Sequence, residues 1–144
     1  MSTVAANREC MAADSKVTIG STHYSTVKIE RIGQVLVGCA GHTRAIARFL
    51  TWMRKGGGRK PSIVKTDQLE AIILSPSGLF RVDRACEFDE VKDAFTAVGS
   101  GDMAALAAMH CGLAPGPAVG IACRVDNHSA PPVDVFYLYA SEAP

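Results

Sequence analysis

Met1 is followed directly by Ser2, and a small hydroxyl residue at that position lets an aminopeptidase remove the initiator. Removal leaves Ser2 with a hydroxyl and a free amine on one residue. A hydroxyl is a poor nucleophile at its own pKa and needs a base, and an α-amine, with a pKa of about 7.7–8.0, can be that base. Taken alone, Ser2 reads first as a frayed terminus, and only its surroundings reverse that. Other reactive residue types along the chain give weaker signals. Cys10, Cys39, Cys86, Cys111 and Cys123 are scattered singly with no C-x-x-C spacing, so neither a zinc site nor a disulfide framework is suggested. His23, His42, His110 and His128 show no metal spacing. Gly99-Ser100-Gly101 resembles a phosphate-cradling loop before a helix but lacks the trailing Gly-Lys-Ser/Thr of a nucleotide site.

At 144 residues the chain is expected to form one domain, burying roughly two-thirds of its extended surface. Hydrophobic residues make up 48% and charged residues 20%, an ordinary globular balance. A net charge of +1 steers the chain toward neither nucleic acid nor an anionic membrane. Apolar runs are too short to span a bilayer, and Arg8-Glu9 interrupts any signal-peptide reading. Unpaired thiols in a cytoplasmic protein are the expectation.

Short β-type runs dominate the first forty residues. Residues 3–6 and 10–15 read as a hairpin about Asn7-Arg8-Glu9, and 27–32 with 35–40 as a second, broken at Gly33-Gln34. The period then lengthens: Ile46, Phe49, Leu50 and Met53 recur at helical spacing over 42–55, ending at Gly56-Gly57-Gly58. Residues 61–66 take no assignment. A third hairpin, 69–74 with 79–82, turns at Ser75-Pro76-Ser77-Gly78. A strand at 95–98 leads into a helix over 102–111 with Asp102 as N-cap, then a helix over 117–125 and a strand over 133–139. The stretch 104–109 is apolar all round, which predicts burial between layers or against another subunit. Hairpins outnumber βαβ units, so antiparallel sheets covered by helices are expected.

Five motifs fall in order: Ala12-Ala13-Asp14-Ser15-Lys16-Val17-Thr18, Thr26-Val27-Lys28-Ile29, Val37-Gly38-Cys39-Ala40-Gly41, Val98-Gly99-Ser100-Gly101 and Asp126-Asn127-His128-Ser129. In this order they resemble the proteasome β-subunit family, including the HslV-type peptidases. The resemblance spans nearly the whole chain and implies an α+β fold, a four-layer α-β-β-α sandwich with two antiparallel sheets (Ntn-hydrolase-like). It further implies a peptide or unfolded-protein substrate, a homo-oligomeric ring, a separate ATPase regulator and no cofactor. Carried over by position, Ser2 matches the nucleophile, Asp14 the acidic residue of the second strand and Lys28 the essential lysine. Gly41 matches the glycine whose N–H helps hold the oxyanion. Ser100 matches the serine of the Gly-Ser-Gly turn, and Asp126 and Ser129 match the pair that hydrogen-bonds around the terminal amine.

Elementary physics is consistent with that set. A lysine and an aspartate within an apolar strand core need each other, because an unpaired buried charge is very costly. Lys28 beside Ser2 favours the alkoxide and depresses the amine pKa, and Asp14 holds Lys28 charged and oriented. A donor such as the Gly41 N–H is typically worth about 3 kcal/mol to an oxyanion. Each residue also has a plainer reading. Asp14 can end a strand, Lys28 can face solvent, Gly41 can start a loop, and Asp126 to Ser129 can be turn chemistry.

Parity makes the sharpest geometric demand. Ser2 and Asp14 share a sheet face only if the intervening turn has an odd number of residues, which a three-residue turn at Asn7-Arg8-Glu9 satisfies. Certain features depart from the family pattern: serine in place of threonine, a short first hairpin, Ala130-Pro131 where two glycines are common, and too little chain after Gly56 for a second helix. Two rivals therefore stand beside the peptidase: a catalytically silent ring former that keeps Met1, and an amidase acting on a small molecule.

Overall fold

The computed structural model describes residues 2–139; Met1, whose removal is needed for a free amine on Ser2, lies outside the described residues. In chain order the first half comprises β1 (Thr3–Asn7), β2 (Cys10–Ala13), β3 (Lys16–Ile19), β4 (Thr22–Ser25), β5 (Ile29–Ile32), β6 (Val35–Gly41) and α1 (Thr43–Arg54). The second half comprises β7 (Leu69–Ser75), β8 (Gly78–Asp83), β9 (Phe88–Glu90), β10 (Phe95–Gly99), α2 (Asp102–His110), α3 (Pro115–Val125) and β11 (Asp134–Tyr137). The fold is α+β. A four-stranded sheet has the order β10-β1-β2-β11 and a five-stranded sheet the order β5-β6-β7-β8-β9. Every pairing in both is antiparallel.

Side-chain alternation along β1 and β2 assigns each sheet face its job. Val4, Ala6, Met11 and Ala13 point into a cluster with Leu36, Ile72, Leu74 and Leu79 of the five-stranded sheet, so the two sheets pack face to face. Each fully buried Val, Leu or Ile there is worth about 1.5–3 kcal/mol, which fixes the sheets against one another. The alternate residues Ala5, Ala12 and Ala97 face outward onto Ala105, Ala108 and Met109 of α2 and Ala118, Val119 and Ala122 of α3. Small side chains on both sides let the helices approach closely. On the far side, Val37, Cys39, Ala71 and Ile73 meet Ala45 and Phe49 of α1.

The first hairpin departs from the expected parity. Its register pairs Val4 with Ala13, Ala5 with Ala12 and Ala6 with Met11, so only Arg8 and Glu9 lie between the strands. The reason is Asn7, whose side-chain oxygen accepts the N–H groups of Glu9 at 2.8 Å and Cys10 at 2.9 Å and closes the reversal within two residues. Asp14 therefore stands across from Thr3 rather than Ser2, its N–H donating to the Thr3 carbonyl at 3.1 Å. Asp14 also lies past the last residue of β2, where the pleat no longer dictates where its carboxylate turns.

Smaller differences follow local chemistry. The exposed ribbon β3–β4 is a third sheet that the sequence pattern does not reveal. Gly101 rather than Asp102 is the N-cap of α2, with Asp102 in the first turn, where its charge suits the helix dipole. Helix α3 starts at Pro115, two residues before Pro117. Much of α2's apolar surface is used within the chain, against α3 and the four-stranded sheet, although Met103 stays 74% exposed. No helix among the described residues is long and apolar enough to cross a membrane.

Candidate active site

One ammonium group ties together the start of β1, the end of β2 and the start of β5. Lys28 precedes β5, and its carbonyl accepts the Cys39 N–H at 3.4 Å, carrying the β5–β6 ladder one residue further. Its Nζ donates to Ser2 Oγ at 2.6 Å, to Asp14 Oδ1 at 2.9 Å and to the Lys16 carbonyl at 2.5 Å. An ammonium has three hydrogens, and here all three are committed. Ser2 Oγ is thus an acceptor toward Lys28, and its own proton is directed elsewhere.

Asp14 is fully buried and equally saturated. Oδ1 accepts from the Thr3 N–H at 3.0 Å as well as from Lys28, while Oδ2 accepts from the N–H groups of Lys16 and Ala130, both at 3.1 Å. Four donors around one carboxylate make it an orienting counter-charge, not a group free to take a substrate proton. Burial pulls the Lys28 ammonium below its ordinary value, and the hydrogen bond and charge of Asp14 restore only part of the loss.

Ser100, Asp126 and Ser129 form a neighbouring cluster. Ser100 Oγ and Ser129 Oγ each donate to Asp126 Oδ2 at 2.6 Å, and Ser129 Oγ lies 2.7 Å from Thr3 Oγ1. Burial raises the Asp126 carboxyl, but hydrogen bonds from Ser100, Ser129 and the His128 N–H outweigh it and hold the group below its usual range. The cluster meets Ser2 from behind through Thr3 and through Gly99. At Gly99, with φ +98°, an added Cβ would lie 1.8 Å from the Ser2 carbonyl oxygen, so the chain passes closer than any side chain permits.

Gly41, at the end of β6, lines the same cavity as Ser2 and Lys28. Its φ is +135°, and an added Cβ would meet the Gln68 carbonyl at 2.1 Å. Glycine is therefore demanded here by backbone geometry, whatever its N–H does in a reaction.

Sequence reasoning missed several participants. Thr3 contributes both its N–H and its hydroxyl, and the two-residue turn that sets it opposite Asp14 was the available signal. The backbone groups of Lys16 and Ala130 carry no side-chain signature at all. Glu30 at the cavity wall and its partner Arg54, outside the lining, belong to no chemical motif in the sequence. None of the described His, Cys, Asp and Glu residues gather into a group that could hold a metal ion.

No protein-family model matches the sequence, and no curated protein is similar enough to match it. Solved structures do match. Thiobacillus denitrificans BPH superposes with a TM-score of 0.71 at 21% identity, covering 98% of this chain and 100% of that one. Eukaryotic HslV from Trypanosoma brucei gives 0.71 at 20% identity over 94% of this chain and 98% of its own. The Gly-1 mutant of Anbu from Hyphomicrobium sp. strain MC1 gives 0.71 at 11%, covering 95% and 81%. The Thiobacillus protein has also been solved in complex with epoxomicin. Across nearly its whole length, then, this chain has the fold of the proteasome β-subunit and N-terminal-nucleophile hydrolase family.

Proposed function

We propose that the chain is one N-terminal-nucleophile hydrolase domain that cleaves peptide bonds with Ser2 once Met1 has been removed. The order of helix pair, sheet, sheet and helix is read as the four-layer α-β-β-α sandwich, with the α1 layer reduced to one helix. The single observation that carries the activity is the Lys28 ammonium, held against Ser2 Oγ by a saturated, buried Asp14. With its three hydrogens donated, that ammonium has no lone pair to offer, so the base is the α-amine of Ser2 itself.

In the reaction, the α-amine takes the Ser2 hydroxyl proton as Oγ bonds to the substrate carbonyl carbon. Lys28 stabilises the charge on Oγ, and the Gly41 N–H donates to the oxyanion. Collapse of the tetrahedral intermediate breaks the C–N bond, and the protonated amine returns its proton to the leaving nitrogen. Water then attacks the resulting ester, using the same amine as base, and frees Ser2. Asp126, Ser129 and Ser100 position the terminus through Thr3, and Asp14 orients Lys28.

A homo-oligomeric ring of subunits, acting on peptides or unfolded protein with a separate ATPase, fits the kind of fold. It is favoured by Met103, Ile121 and Val125, which leave apolar surface exposed on the α2–α3 side. The deciding test is intact mass combined with epoxomicin, the compound bound by the Thiobacillus protein. Loss of Met1 and an adduct located on Ser2, absent in Ser2→Ala, is the expected result. Full retention of Met1 would replace this reading with the silent ring former. Turnover of small amides but not peptides would replace it with the amidase.

A further inference from the structure

Beside Ser2 opens a cavity of about 510 Å³ whose walls include Val27, Ile29, Cys39, Ile46 and Leu50. Its charged lining is unusual in how it is disposed of. Lys28 is committed to Ser2 and Asp14, and the Lys16 ammonium donates to the Asn127 carbonyl at 2.9 Å. That leaves Glu30 as the one carboxylate among the lining residues. Glu30 sits two residues after Lys28, on the same side of the β5 segment, and reaches Arg54 in the last turn of α1. The pair is bidentate: Arg54 Nε lies 2.6 Å from Oε2 and an Arg54 Nη lies 2.5 Å from Oε1. Each oxygen already accepts one charged N–H, and the two charges offset one another behind the wall.

Resting on the assignment of Ser2 as nucleophile, we propose that the Glu30–Arg54 couple determines which substrate side chain this cavity accepts. While the couple is closed, the cavity offers apolar wall from Val27, Ile29, Ile46 and Leu50 and no unpaired carboxylate, and it takes an apolar side chain in preference to a basic one from the residue that supplies the attacked carbonyl. A basic side chain finds only a carboxylate whose charge Arg54 already offsets, so it gains less there than it would beside an unpaired one. The preference is thus maintained by a residue on a helix that does not itself contact Ser2, and it inverts when that residue is removed. With Arg54 gone, Glu30 is an unpaired carboxylate on an apolar wall, and a substrate Lys or Arg restores the missing partner. Hydrogen bonds to charged groups are strong enough to make that a change of roughly tenfold or more.

The test uses the full chain in its native assembly, with capped peptides differing only in Leu or Arg before the cleaved bond. Turnover is measured on the wild type, Arg54→Met and the double variant Arg54→Met/Glu30→Gln. Affinity for the same peptides is measured by calorimetry with each variant placed on Ser2→Ala, which needs no working nucleophile. The expected order for the wild type is Leu above Arg. Arg54→Met should raise Arg relative to Leu by roughly tenfold, and adding Glu30→Gln should erase that gain. An affinity order unchanged by Arg54→Met, or a wild type already favouring Arg, overturns the proposal. If the affinity order shifts as stated while no variant turns over any peptide, the Ser2 assignment fails and the cavity assignment survives.

Discussion

Replacing Asp14 with asparagine changes one atom and tests the centre of the site. The carboxylate accepts four hydrogen bonds, two on each oxygen: Lys28 Nζ and the Thr3 N–H on one, the Lys16 and Ala130 N–H groups on the other. An amide offers one accepting oxygen and one donating nitrogen. In the milder orientation the oxygen stays with Lys28 and Thr3, and the NH₂ confronts the N–H groups of Lys16 and Ala130. Leaving two buried backbone donors unpaired costs about 1–3 kcal/mol each. Lys28 meanwhile keeps a buried charge whose counter-ion is gone, and breaking such a pair from one side costs about 3–5 kcal/mol. These overlap, so a net loss of about 3–6 kcal/mol is expected, a large share of the roughly 5–15 kcal/mol that holds a domain together. Urea unfolding followed through Trp52, the single tryptophan, which packs against Phe49 and Phe88, reads this directly. Lys28→Met and the double variant complete a cycle, and the two losses should be non-additive by at least about 1 kcal/mol. A loss below about 0.5 kcal/mol for Asp14→Asn, or additive losses, would show that the ammonium–carboxylate couple does not organise this site.

The same couple sets a pH dependence. Burial holds Lys28 below its ordinary 10.5, so between that lowered value and 10.5 the unfolded chain binds the extra proton and stability rises with pH. Adduct formation at Ser2 should fall across that window, as Oγ loses the ammonium; a rate that climbs instead would make neutral Lys28 the base and exclude the α-amine. Gly99→Ala should displace Ser2, since the added Cβ falls 1.8 Å from its carbonyl oxygen at a φ of +98°. A melting temperature and Ser2 labelling both equal to wild type would contradict the close approach. Cys39 is buried and its thiol pushed up to about 12, and Cys10 and Cys86 are buried too, whereas Cys111 is exposed. Alkylation of the native protein should therefore find Cys111 first, and mass mapping that finds Cys39 first would refute the packing.

How much could be read from residues alone depended on how local the determining interactions are. The turns at Gly33-Gln34 and Pro76-Ser77, and the period change into α1, are written in adjacent residues and were legible. The β3–β4 ribbon was not, because its strands are only four residues long and mostly exposed, with Val17 and Ile19 the whole of the apolar alternation along β3. The length of the first turn was misjudged because a single amide, Asn7, absorbs two N–H groups and shortens the reversal. That error leaves the Ser2–Lys28–Asp14 contact intact only because a four-carbon lysine stem bridges residues that strand parity alone would separate. The all-round apolar pattern of α2 left burial between layers and burial against another subunit both open, and most of that surface is claimed by α3 and the alanines of β1, β2 and β10. Ser100, Asp126 and Ser129 do meet in space, but their link to Ser2 runs through Thr3 and Gly99, whose contributions are matters of register and backbone approach.

The hydroxyls of Thr3 and Ser129 touch across 126 residues of sequence, and the Ala130 amide reaches Asp14 across 116. Contacts of such separation close slowly and late, after the chain's opening and closing segments have been brought side by side. A nascent or half-folded copy therefore carries the serine but not its surroundings. Whatever chemistry this pocket performs therefore arrives together with the finished architecture and not before it.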